Sequence, residues 1–185
     1  MNDIIERLLK DVALPRMVRA RQVLADKALP DVAAAVREQV RAPAIASLIR
    51  PGMSIAVAVG SRGLAELPLL VRTLVEELKL AKAAPFIVPA MGSHGGATAE
   101  GQVALLAALG VTESSAGCEI RSSMEVVEID RLPSGLPVYL DANAFAADGI
   151  VVLNRVKPHT SFSGPNESGL AKMLAIGLGK QKGAE

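Results

Sequence analysis

Residues 53–91, MSIAVAVGSRGLAELPLLVRTLVEELKLAKAAPFIVPAM, are the stretch that decides the fold of this chain. Two short runs of small and β-branched apolar residues, 53–59 and 84–91, predict buried strands. Between them, leucines and valines recur at helical spacing over 64–81, which leaves the charged residues on the opposite face. Pro68 lies early enough to belong to the first turn of this helix. A strand, a helix and a second strand in this order predict the start of a parallel sheet.

The same rhythm continues along the chain. A second helix is predicted over 98–110, with Thr98 as its N-cap and Gly110 as its C-terminal stop. The pattern then changes to a short antiparallel or irregular excursion around 119–147. A third buried strand follows at 148–156, because apolar and β-branched residues return there.

Length and composition fit a single α/β domain spanning residues 1–185. Half of the residues are hydrophobic, yet the chain has no Trp, one Tyr and three Phe. Such a core of Ala, Val, Leu and Ile is typical of helices packed on a parallel sheet. We therefore predict a mainly parallel sheet with helices on both faces, of the open doubly wound type.

The bulk properties also exclude classes of partner. A net charge of +1 and few aromatic residues argue against nucleic-acid binding. Charged residues interrupt every long apolar run, so no membrane span is expected. Cys118 is the only cysteine and has no basic neighbour in sequence, which indicates a structural cysteine in a reducing cytoplasm.

Each predicted strand is followed by a polar loop marked by glycine or proline. The loops are GSRG (60–63) with Arg62, GSHGGAT (92–98) with His94, and NRVKPHT (154–160) with Arg155, Lys157 and His159. Loops beyond the carboxyl ends of parallel strands meet in one crevice, where ligands bind in such folds. Both histidines of the chain therefore fall on the predicted functional edge.

These residue types suit a particular chemistry. Arg62 can hold a carboxylate or phosphate through paired hydrogen bonds, whereas alone it is an ordinary surface charge. His94 and His159 can act as general base and general acid, although each alone could simply hydrogen-bond the backbone of its turn. Because Arg62, His94 and His159 share one predicted edge of the sheet, we favour a common functional site over three unrelated surface residues.

Two further features of the sequence are candidate ligand-binding elements. Backbone N–H groups of the glycine-rich loop, at Gly95, Gly96 and Thr98, could hold a phosphate at the helix start. Lys172, in an apolar segment, is either a nucleophile or covalent anchor in an enclosed site, or a lysine that extends from a partly buried helix to solvent. Glu167 and Ser168 are interpreted as caps of that helix.

At these residues the sequence resembles the nickel-pincer-nucleotide-dependent lactate racemase family. The matching motifs are GSRG, PAMGSHGGATAEGQ, NRVKPHTSF and SGLAKMLAIGLGKQKGA. The resemblance implies that His94 and His159 are acid–base catalysts at the substrate hydroxyl and that Arg62 orients the substrate carboxylate. It implies that Lys172 carries the cofactor through a thioamide link. The remaining residues predicted to contact the cofactor are Ser61, Gly95, Gly96, Thr98, Arg155 and Lys157.

The chain departs from the family pattern at several points. Val59 stands where the best-known racemases have an acidic residue, and no histidine follows His159 to bind nickel, so no metal ligand is predicted. Family members continue into a second domain, so we expect the chain to be a fragment or a reduced relative. We expect it to lack the cofactor and to be inactive without that C-terminal domain, with oligomers possible. The last stretch, GLGKQKGAE (177–185), is expected to fray.

The leading hypothesis is a 2-hydroxy-acid racemase or epimerase, an isomerase that abstracts and returns hydride through the nickel-pincer nucleotide. The alternative is a non-catalytic domain that binds a nucleotide or a carboxylate. A metal-dependent hydrolase built on the histidines lacks a convincing carboxylate ligand nearby.

Overall fold

A computed structural model describes residues 7–13, 16–23, 28–159, 163–164 and 166–185. Residues 160–162, the end of the NRVKPHTSF motif, lie outside the described residues. The strands are β1 (Ser54–Val59), β2 (Ala84–Pro89), β3 (Val126–Arg131), β4 (Pro137–Asp141) and β5 (Gly149–Leu153). The helices are α1 (Val32–Arg41), α2 (Pro43–Ala46), α3 (Leu67–Leu80), α4 (Ala99–Ala108), α5 (Glu113–Ala116), α6 (Ala142–Phe145), α7 (Leu170–Lys172) and α8 (Lys180–Ala184). A 3₁₀ turn spans Gly95–Ala97, and a π-helical segment spans Met173–Gly177.

Within the described residues, β1 is central to a parallel sheet in the order β2-β1-β5. Val57 of β1 lies opposite Ile87 of β2 and Val151 of β5. β3 and β4 form a separate antiparallel pair with an irregularity between Glu128 and Asp130. The predicted α/β fold and the excursion around 119–147 are both confirmed.

Alternation along β1 explains why helices cover both faces of the sheet. Ile55 and its alternate neighbours belong to a buried cluster with α3, whereas Ala56 and Ala58 belong to a second cluster on the other face. That second cluster includes Ala144 of α6 and Leu178. Successive side chains of a strand point to opposite faces, so a strand buried on both sides reads as a continuous apolar run.

Helix ends follow the sequence signals. α3 has Pro68 in its first turn, where the missing N–H leaves no hydrogen bond broken. The Oγ1 atom of Thr98 accepts a hydrogen bond from the backbone N–H of Gly101 at 3.0 Å, which caps α4 as predicted. Gly110 adopts a φ of 81°, a left-handed conformation that favours glycine and ends this helix. No helix among the described residues is long and apolar enough to cross a membrane.

The prediction that residues 177–185 fray is wrong. Gly177 to Lys180 are buried, and Lys180–Ala184 form α8. The physical reason is a buried ion pair between Lys180 Nζ and Asp141 Oδ2 at 3.1 Å, together with a hydrogen bond from the backbone N–H of Asp141 to the carbonyl of Leu178 at 2.7 Å. These bonds join the C-terminal segment to the end of β4.

α1 is fastened to α3 by an arginine–carboxylate pair. The Nε and Nη2 atoms of Arg41 donate to the two carboxylate oxygens of Glu77 at 2.6 and 2.8 Å. The Glu77 side chain is 5% exposed, and Arg37 approaches it at 3.9 Å. A bidentate pair of this kind orients both groups and satisfies a carboxylate that has been removed from water.

Replacing Arg41 with Met should lower the denaturation midpoint, because Glu77 then stays buried without its main partner. Arg72→Met is the matched control. Arg72 also pairs with a carboxylate, Glu76, but both of those side chains are about half exposed, so little loss is expected. Chemical denaturation of the two variants and the wild type measures the difference. Equal midpoints for the two variants would contradict this account of the pair.

Acid should remove the contribution of the same pair. The hydrogen bond from Arg41 holds the pKa of Glu77 below its ordinary value of 4.5, against the opposing effect of burial. The unfolded chain therefore binds the extra proton first, and the stabilisation is present above pH 4.5 and lost as the pH falls through the folded pKa. The difference in unfolding free energy between wild type and Arg41→Met should shrink as the pH is lowered below 4.5. Subtracting the unfolding free energy of the variant cancels the contribution of other carboxyl groups, such as Asp148, because both proteins contain them.

Candidate functional site

A cavity of about 470 Å³ lies at the carboxyl ends of β1, β2 and β5. Its volume falls in the range of small-molecule sites. The chain leaves β1 toward β2 on one side, and β5 returns on the other, so loops diverge at this point and leave a crevice. The sheet order thus places the cavity where such folds bind ligands.

The cavity wall gathers side chains from every loop singled out in the sequence. Ser61 and Arg62 follow β1, and His94 follows β2. The predicted site residues that follow β5 on this wall are Arg155, Lys157 and His159. Lys172 joins them from α7. The structure therefore brings both histidines and Arg62 to one space, as the parallel sheet predicted, and adds Lys172 to the same wall.

His94 is held by its neighbour across the crevice. The Oγ atom of Ser61 lies 2.6 Å from Nδ1 of His94, so Nε2 is the ring nitrogen that remains for a ligand. A hydroxyl both donates and accepts, so this contact suits either tautomer of the ring. Partial burial lowers the pKa of His94 below 6.5, and the positive charges of Arg62 and Lys172 lower it further. The imidazole is therefore neutral at neutral pH and able to accept a proton.

The loop of His159 is tied to the segment that follows it. The backbone N–H of His159 donates to Oε2 of Glu167 at 3.2 Å. The predicted capping roles of Glu167 and Ser168 are wrong, because Gly169 occupies the N-cap position of α7 and no side chain caps it. Ser168 instead lines the cavity. Glu167 was missed as a support of His159, although it is the nearest acidic residue after it in the sequence.

Lys172 precedes the π-helical segment Met173–Gly177, which lies across the ends of β1 and β2. A Cβ added to Gly60 would come within 3.3 Å of the Met173 side chain, and one added to Gly92 would come within 3.2 Å of Ile176. At Gly177 an added Cβ would meet the carbonyl oxygen of Ala90 at 2.8 Å. These glycines let the segment approach the strand ends, and π-helical turns are frequent at functional sites. Lys172 is exposed to solvent rather than enclosed.

Gly95, Gly96 and Thr98 lie on the loop beside the cavity but are not among its lining residues. Gly95 has a φ of 68°, and a Cβ there would lie 2.6 Å from the backbone of Gly101. The contacts described for these residues build the turn and cap α4. Their contact with a cofactor stays a prediction.

The charges of the wall indicate the class of ligand. Its cationic side chains are Arg62, Arg155, Lys157 and Lys172. They fit an anionic organic group bearing a phosphate or carboxylates, and the Lys172 amine fits a covalent link. The described residues do not offer a comparable fit for a nickel ion. Among the described residues, His, Cys, Asp and Glu side chains form no group of three or more that could hold a metal ion.

Replacing Gly177 with Ala should displace the π-helical segment, because the new methyl group collides with a carbonyl oxygen that cannot rotate away. Overpacking of this kind costs about 1–3 kcal/mol of stability. Gly164→Ala is the matched control, since its Cβ meets none of the described residues within 4 Å. Thermal unfolding of both variants is the measurement, and a Gly177→Ala variant as stable as Gly164→Ala would show that the close approach is not required.

Comparison with known proteins identifies the family of the chain. The family model of the lactate racemase N-terminal domain matches residues 3–182. No curated protein gives a significant match to the chain. Because the family model covers nearly the whole sequence, the chain belongs to the lactate racemase N-terminal domain family.

Proposed function

We propose that this chain is the part of a 2-hydroxy-acid racemase or epimerase that holds the substrate and carries its acid–base groups. The observation that supports the proposal best is the convergence of His94, His159 and Arg62 on one cavity wall. A carboxylate clamp and two bases are what inversion of a 2-hydroxy acid requires of the protein. Membership of the racemase family supports the same reaction class.

In the proposed mechanism, Arg62 binds the substrate carboxylate through its planar guanidinium and fixes the orientation of the adjacent carbon. His94, neutral because of its lowered pKa, accepts the hydroxyl proton of one enantiomer. His159 comes from a different loop and serves the opposite enantiomer, so one histidine takes the proton and one returns it. Ser61 keeps the His94 ring in place while its protonation changes.

Chemistry at the substrate α carbon, the removal of hydride and its return to either face, would be supplied by a bound nickel-pincer nucleotide. Lys172 would hold it covalently, and the nearby cations Arg155 and Lys157 would neutralise its anionic groups. The described residues do not fit the nickel ion itself, because they include no group of three or more potential metal ligands. We expect a C-terminal domain to complete the site over the exposed Lys172 side.

A second candidate function follows from the same mismatch. Since no metal donor set occurs among the described residues, the cavity also suits a domain that binds a nucleotide or a carboxylate without turnover. Both functions use the cationic wall, but only the racemase requires the histidines to exchange protons.

In the complete protein with its cofactor, His94→Gln and His159→Gln should each lower the interconversion of D- and L-lactate by roughly 100-fold or more. Loss of a positioned acid–base group has this size of effect, whereas the carboxylate clamp is left intact. Chiral chromatography measures the rate, and calorimetry checks that lactate still binds. Full activity in both variants would exclude the proposed roles. Tight binding of an adenine mononucleotide probe to the cofactor-free wild type, with no turnover once the cofactor is supplied, would favour the binding domain.

Arg62→Lys should weaken lactate binding about tenfold or more, because a single ammonium cannot replace a bidentate pair. Arg72→Lys, on the outer face of α3, is the matched control and should bind like the wild type. Calorimetric titration of both variants with lactate measures the affinities. Equal affinities would remove Arg62 from the substrate site.

A further inference from the structure

A buried polar cluster lies under the cavity and is not used in the mechanism above. It consists of Lys180, Asp141 and Gln102, and each of these side chains is 0% exposed. None of them lines the cavity. Ionisable groups are rarely buried to this degree, because removing a charge from water is unfavourable unless it is paired and hydrogen-bonded.

Lys180 is the hub of the cluster. Its Nζ atom donates to the carbonyl oxygen of Pro89 at 2.6 Å and to Oε1 of Gln102 at 3.0 Å. The same atom lies 3.1 Å from Oδ2 of Asp141. One ammonium group thereby joins α8, the last residue of β2 and the last residue of β4.

Gln102 connects Lys180 to the loop that carries His94. Its Nε2 atom donates to the carbonyl of Gly92 at 2.8 Å and to the carbonyl of His94 at 3.3 Å. The amide oxygen of the same side chain is the acceptor for Lys180. The orientation of the Gln102 amide is therefore fixed at both ends, with its acceptor toward the lysine and its donor toward the loop.

The position of this cluster argues for a role beyond stability. Apolar side chains of similar size fill such a space at least as stably as a buried ion pair does. A directional network, in contrast, holds backbone carbonyls at set positions, and these carbonyls belong to the loop that presents His94. A fixed loop keeps the Nδ1 atom of His94 within hydrogen-bonding distance of the Oγ atom of Ser61, which lies 2.6 Å away.

We propose that Gln102 and Lys180 are positioning residues for His94: the Asp141–Lys180 pair orients the Gln102 amide, and this amide fixes the backbone of the His94 loop. The proposal rests on the assignment of His94 as an acid–base group. It makes the C-terminal segment part of the active-site support, although that segment contributes neither of the bases.

The test is the titration of His94 followed by NMR of the imidazole protons. The chain has two histidines, so His159, on a different loop, supplies a second resonance in the same spectrum. In Gln102→Met the loop loses its donor, the ring moves toward solvent and away from Arg62 and Lys172, and its pKa should rise toward 6.5. Gln39→Met, on the exposed face of α1, is the matched control and should leave the His94 titration unchanged.

A second variant guards against loss of folding. Lys180→Met combined with Asp141→Asn removes both charges together, and the asparagine oxygen can still accept the 2.9 Å hydrogen bond from the backbone N–H of Ala144. This double variant should shift the His94 titration in the same direction. A His94 titration identical to the wild type in either folded variant overturns the proposal.

The unmodified protein supplies a further readout. The side-chain amide protons of Gln102 should exchange slowly with solvent, because they are buried and bonded to two carbonyls. Rapid exchange of these protons overturns the proposal even if no variant folds. These readouts do not depend on turnover, so failure of the positioning role is distinguishable from failure of the racemase function, which the His94→Gln activity decides.

Discussion

β1 is hydrogen-bonded to a parallel strand on each side, and this pairing determines where every loop of the site emerges. Because parallel strands share their carboxyl edge, the segments after β1, β2 and β5 are brought together whatever their own sequences are. The sequence of those segments then determines which functional side chains the site contains. Arg62, His94 and His159 occupy them here, and all three line one cavity although they are far apart in the sequence.

The C-terminal segment completes what the sheet begins. It crosses the strand ends closely enough that an added Cβ at Gly177 would meet the carbonyl oxygen of Ala90 at 2.8 Å, and Gly92 beside it has a left-handed φ of 60° that favours glycine. It carries Lys172 on the cavity side and Lys180 on the buried side, eight residues later. One segment thus supplies both a residue of the wall and the hub of the network beneath it, which links the chemistry of the cavity to the packing of the core.

Periodicity was sufficient to predict β1, β2, α3, α4 and the caps at Thr98 and Gly110, because these features depend on residues close together in sequence. The strand predicted at 148–156 is present as β5, but the prediction that it is buried is wrong, because it is the edge strand of the described sheet and is only partly covered. The meeting of the loops followed from sheet topology. The supports of the site could not be predicted in this way. Lys180 contacts residues 91 and 78 positions away, and in sequence it is one more lysine in a glycine-rich tail. Glu167 occupies a position typical of a helix cap. Its hydrogen bond from the His159 backbone depends on the conformation of the intervening loop, which the sequence pattern does not give.

The long separations around Lys180 have a consequence for the order of folding. Contacts between distant residues form more slowly than local ones, because closing a large loop is entropically unfavourable. The β1–β2 unit is complete by residue 89, and its helix and core can assemble locally. Docking of α8 must wait for β2, α4 and the end of β4 to be in place together. The β1–β2 unit is synthesised well before Lys180, so a nascent chain can pair these two strands before it can form the support beneath the cavity.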